Sequence, residues 1–114
     1  MKTSEINVKV TTDINHLPEQ ITWEATDSGV SGINECRSML LALWDAENQN
    51  TLKIDLWTKE MTVEEMKLFF YQTLLSMSET LERSTAETNA AEDLREFCKH
   101  FAKTMGIESN AKKA

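Results

Sequence analysis

The chain has 114 residues, 40% of them hydrophobic and 27% charged; this length suits one domain with a single modest core, and the balance excludes global disorder. Its formal net charge is −7 and its pI near 4.8, which argues against a broad nucleic-acid surface and against an anionic membrane surface, because both need a positive footprint. No window approaches a membrane span, the opening MKTSEINVKV has no apolar stretch of signal-peptide length, and no early Cys can accept a lipid, so direct membrane insertion is not expected and the location is read as cytoplasmic.

Residues 5–12 alternate, with Ile6, Val8 and Val10 facing one way and Asn7, Lys9 and Thr11 the other, the pattern of a half-buried strand. Residues 20–26 repeat it with Ile21, Trp23 and Ala25. DINHLPEQ, which holds the single proline Pro18, joins the two as a hairpin connection longer than a tight turn. Residues 27–35, DSGVSGINE, carry two of the three glycines and read as a flexible loop. SMLLALWD follows as a third strand, apolar on both faces. The polar turn AENQN leads into TLKIDLW, whose alternation places Leu52, Ile54 and Leu56 on one face and Lys53, Asp55 and Trp57 on the other.

Thr62 and Glu65 form a T-x-x-E capping box that opens a helix, with Glu64 and Glu65 at its positive end. An apolar stripe runs through Val63, Met66, Phe70, Leu74, Met77 and Leu81, widened by Phe69, Thr73 and Leu75. After the break STAETN, a second helix spans about 89–105, with Leu94, Phe97, Cys98, Phe101, Ala102 and Met105 on its apolar side, and Gly106 ends it. The order predicts an α+β fold: a four-stranded antiparallel meander followed by a two-helix hairpin packed on one sheet face. Residues 1–106 form a single domain in this reading, and residues 107–114 a flexible tail.

No constellation has the layout of a catalytic, cofactor or metal site, and none of the three is expected. His16 lies in the first hairpin loop. His100 has Glu96 four residues before it, the spacing of a helical surface pair, and no HxxxH or HExxH occurs. Cys36 and Cys98 lack CxxC spacing and read as structural thiols of a reduced compartment. Met61, Met66, Met77 and Met105 fall at helical core spacing and read as core filling. SGVSG has no following Lys-Ser/Thr, so it is no phosphate loop. What is left is a polar-aromatic group on the second hairpin: Leu40, Trp44, Asp55 and Trp57. If the sheet face bearing them is uncovered, it is a surface for a protein partner or for a second copy, giving a homo-oligomer; otherwise these residues close the core from that side.

ITWEATDSG, LALWDAENQNTLKIDLWTKEM, VEEMKLFFYQTLLSMSETLER and EFCKHFA resemble the gliding motility-associated protein GldC family of Bacteroidota. The likeness extends over about residues 4–106, with the first strand and the 28–35 loop its weakest parts. It implies a small soluble protein without a lipoprotein signal that contributes to surface gliding, which names a process and not a chemistry. With no catalytic site and an unexplained Trp-bearing sheet face, the expectation is a non-enzymatic accessory protein that binds and stabilises a component of the gliding or secretion machinery. The likeness implies no catalytic residue. In outline, four strands and two helices in an acidic chain are also similar to the export chaperone SecB, so a holdase is the alternative, and a small-molecule-binding domain a further one.

Overall fold

The structure, a computed structural model, describes residues 1–107; beyond Ile107, the tail expected at 107–114 lies outside the described residues. Five strands precede two helices: β1 (Ile6–Thr12), β2 (Pro18–Ala25), β3 (Asn34–Cys36), β4 (Ser38–Asp45), β5 (Asn50–Trp57), α1 (Val63–Thr85) and α2 (Thr88–Met105). Every strand pairing is antiparallel. Contacts group the chain into two compact units, residues 1–61 with all the strands and the residues from Thr62 onward with both helices.

In the strand unit, β1 and β2 pair from Ile6↔Ala25 to Val10↔Ile21, and the register shifts between Thr11 and Thr12. Directly opposed residues share a sheet face, so Ile6, Val8 and Val10 join Ala25, Trp23 and Ile21 as the alternation requires. The half-burial expected of β1 is not found: it is an edge strand exposed at all seven positions, Ile6 at 77%. β3 then takes the free edge of β2 through Ile21↔Cys36 and Trp23↔Asn34. Ile21, held between Val10 and Cys36 on the central strand, is fully buried.

The expected meander is divided at this point. β3 lies in the segment read as a loop, and it occupies the β2 edge that β4 was expected to use. The result is a three-stranded sheet, β1-β2-β3, and a separate two-stranded ribbon, β4-β5. Only Arg37 separates β3 from β4. Its carbonyl accepts from the Thr58 N–H at 2.8 Å, so the chain passes from pairing with β2 to pairing with β5 across one bent residue. Strands that switch sheets do so at such bends.

In the helical unit, the Thr62 Oγ1 accepts from the Glu65 N–H at 3.0 Å and the Glu65 carboxylate accepts from the Thr62 N–H at 3.1 Å. The capping box is therefore complete. α1 ends at Ala86, which takes left-handed backbone (φ 63°) and donates its N–H to the Glu82 carbonyl. α2 ends at Gly106, also left-handed (φ 73°). The helices pack together, and Arg95 of α2 reaches Glu82 of α1 at 3.0 Å.

The covered side of α1 keeps Met66, Phe69, Thr73, Leu74 and Leu81 of the expected stripe half-buried and departs from it at Phe70 and Met77. Tyr71, Leu74, Leu81 and Glu82 are half-buried and Ser78 is fully buried, whereas Phe70 and Met77 are 41% and 50% exposed. The seam thus runs through Tyr71, Leu74, Ser78 and Leu81, one step round the helix from the most apolar line. On α2 the expected side holds: Ala91 and Cys98 are buried, and Leu94, Phe101, Ala102 and Met105 half-buried. Phe97 sits at its margin, exposed, with its ring 5.7 Å from that of Phe101.

Candidate interaction surface

The β4–β5 ribbon pairs without a register shift from Ser38↔Trp57 to Asp45↔Asn50. That register sorts its side chains into two faces. One carries Ser38, Leu40, Ala42 and Trp44 with Thr51, Lys53, Asp55 and Trp57. All four residues singled out in the sequence, Leu40, Trp44, Asp55 and Trp57, fall on it, and Leu40 and Asp55 are direct cross-strand partners. Trp44 (62% exposed) and Trp57 (56%) stand out from the surface. They do not form one cluster, since Trp44 opposes Thr51 and Trp57 opposes Ser38. Six residues of strand separate those rungs, about 20 Å. Between them Asp55 pairs with Lys53, its neighbour on the same face, which neutralises the middle of the face.

The other face carries Met39, Leu41 and Leu43 opposite Leu56, Ile54 and Leu52. No charge interrupts these three rungs. Leu41, Leu43, Leu52 and Ile54 are each 40–51% exposed. The alternation of β5 shows in the sequence that these leucines share a face. It does not show their exposure, because a pattern identifies a face and not what covers it.

The polar groups of the strand unit serve the hairpin ends. Asp13 Oδ1 accepts from the N–H groups of Asn15 and Leu17 at 2.8 and 3.0 Å, and its Oδ2 accepts from Lys59 Nζ at 2.8 Å. Lys59 also pairs with Glu19 at 3.6 Å and donates its N–H to the Pro18 carbonyl. The ammonium bond, then the backbone N–H of Leu17, hold the Asp13 carboxyl at about 2 against the ordinary 3.8. A folded-state value below the unfolded one adds stability above pH 3.8, and that contribution is lost as pH falls toward 2. Lys59→Met is expected to move the Asp13 titration up toward its ordinary value, read by carboxyl-carbon NMR. It should also reduce the loss of stability between pH 4 and pH 2. An unmoved titration would show that the loop N–H groups alone set it.

The remaining sequence candidates are dispersed. His16 takes left-handed backbone (φ 64°) in the β1–β2 loop. The expected Glu96–His100 pair is replaced: Glu96 binds Lys99 at 3.1 Å, and the His100 ring lies 3.4 Å from Thr104 Oγ1. Lys99 competes for Glu96 with a full charge at the equally close (i, i+3) position. Both cysteines are free thiols. Burial pushes each thiol above its ordinary range, the opposite of what a nucleophile or metal ligand requires. Among the described residues no three His, Cys, Asp or Glu side chains are grouped to hold a metal ion. A cleft of about 300 Å³ beside Leu17, Pro18, Leu56 and Trp57 is mostly apolar and open, and extends the ribbon surface at its Trp57 end.

Residues 18–107 match the family model described as gliding motility-associated protein GldC-like. The chain belongs to the GldC-like family. Membership implies a role in gliding motility, in a family of accessory proteins with no known catalytic activity. The GldC-like match begins at the first residue of β2 and takes in the whole ribbon and both helices. β1 lies outside it, where the sequence resemblance is also weakest. No curated protein and no solved structure gives a significant match. Among the described residues no helix is long and apolar enough to cross a membrane.

Proposed function

We propose that this GldC-like chain is a non-enzymatic binding module, acting in the cytoplasm, that stabilises a protein component of the gliding or secretion machinery. The carrying observation is the Trp-bearing face of the β4–β5 ribbon. Large aromatic side chains held 56% and 62% exposed on regular strands are unusual in a protein with no partner, and Trp is the residue most enriched among interface hot spots. Trp44 and Trp57 anchor the two ends of the contact, Leu40 fills its middle, and the Lys53–Asp55 pair supplies a polar centre. A partner surface about 20 Å long with two apolar pockets and a net-neutral middle fits this arrangement.

The test is crosslinking in a gliding cell followed by affinity capture and mass spectrometry, with wild-type protein and the double variant Trp44→Glu/Trp57→Glu. One stoichiometric component of the machinery is expected with wild type and is lost with the variant, whose strand signal in circular dichroism is unchanged. Colony spreading by cells carrying only the variant should fall with it. Capture of many unrelated unfolded chains would replace this reading by the SecB-like holdase. Undiminished capture by the variant would remove the Trp face from it.

A further inference from the structure

The two edges of the β4–β5 ribbon are unequally protected. Each strand of a two-stranded sheet has one edge with no strand on it, and such edges are normally guarded by charge, proline or a bulge. β5 carries Lys53 and Asp55 in its middle. β4 has no charge, no proline and no register shift from Ser38 to Trp44. Its side chains are apolar on both faces, with Leu40, Leu41, Leu43 and Trp44 all 37–62% exposed. A lone two-stranded hairpin is also marginal in water, and further strands or a helix against it add the stability it lacks.

We infer that β4 pairs antiparallel with β4 of a second copy across a two-fold axis at Leu41, making a four-stranded sheet β5-β4-β4′-β5′. Leu41 is the midpoint of the uncharged run. Centring there sets Leu40 beside the second copy's Ala42, Met39 beside its Leu43 and Ser38 beside its Trp44, with no like charges opposed. The arrangement closes on itself: both unguarded edges are consumed, and the outer edges are the charged β5 strands, so association stops at two. A foreign strand would have to supply an equally uncharged apolar edge, which the chain itself already provides. The seam takes up the backbone edge of β4 and the flanks of its four exposed apolar side chains, Leu40, Leu41, Leu43 and Trp44. The paired ribbons also join two uncharged leucine faces into one.

The mass of the full chain in solution, measured by light scattering at on the order of 10 µM, which is above a micromolar dissociation constant, is expected to be twice 13.0 kDa. Ala42→Glu should halve it. That substitution faces Lys53 within its own hairpin, which favours the ribbon fold, while it sets two carboxylates on one face near the two-fold axis. The same charge on the other strand, Thr51→Glu, should leave the mass doubled. Hydrogen exchange gives an independent reading: the outward-facing amides of β4 should be protected in wild type and exchange freely in Ala42→Glu. A wild-type mass of 13.0 kDa, a dimer that survives Ala42→Glu, or unprotected outer amides in a dimer would each overturn the pairing. Partner capture through the Trp face is a separate outcome, read from wild type against Trp57→Glu, whose substitution lies on β5 and leaves the β4 edge unchanged.

Discussion

Ile21→Ala is expected to destabilise the strand unit by about 3–4 kcal/mol. Ile21 is fully buried on the central strand, with Val10 on one side and Cys36 on the other. Alanine there removes three carbons where two neighbouring strands meet, so transfer and cavity terms both fall at one point. Against a typical total of about 5–15 kcal/mol, that change shifts the urea midpoint strongly with little change in slope. The three tryptophans, Trp23, Trp44 and Trp57, all lie in residues 1–61, whereas helical circular dichroism reports α1 and α2. Tryptophan fluorescence therefore reads the strand unit directly. If both signals shift together, the two units unfold as one; if only fluorescence shifts, they unfold separately. A loss below about 1 kcal/mol would mean that Ile21 is not the packing centre of its sheet.

The parts of this fold that are legible in the sequence are those fixed by nearby residues. The alternation of Ile6, Val8 and Val10, the Thr62–Glu65 capping box and the stop at Gly106 all appear where local geometry places them. The division into two sheets depends on a competition for the β2 edge. It is decided by Asn34–Cys36, three residues in a Gly-, Ser- and Asn-rich segment that carry no periodic signal of their own. The site is legible to the same degree. Period-two alternation puts Leu40, Trp44, Asp55 and Trp57 on one ribbon face, but spacing along two strands does not show that the tryptophans sit at opposite ends. The uncharged edge of β4 is written in SMLLALW, yet it becomes an edge only once β3 has taken the place beside β2.

The helical seam shows a different limit, because its most buried member on α1 is a serine. An apolar stripe cannot register Ser78, so the line through Phe70 and Met77 looks stronger than the seam the helices use. Glu82 and Arg95 meet across the pair, which puts Ser78, four residues earlier, level with Cys98, three residues later. Both are small and fully buried, and small residues at a crossing let two helices approach closely. The Ser78 hydroxyl is satisfied by donating to the Leu75 carbonyl at 2.6 Å, so the position tolerates polarity and not bulk. Ser78→Leu is accordingly expected to cost about 1–3 kcal/mol through overpacking, although leucine is the better helix former. Ser78→Ala, which keeps the volume, should cost well under half of that. The sharper measurement is the double variant Ser78→Leu/Cys98→Ala. Removing the sulfur opposite the new leucine should recover part of the loss, giving a coupling of about 0.5 kcal/mol or more in a thermodynamic cycle. Strict additivity would place Ser78 and Cys98 at different levels and break the alignment inferred from Glu82 and Arg95.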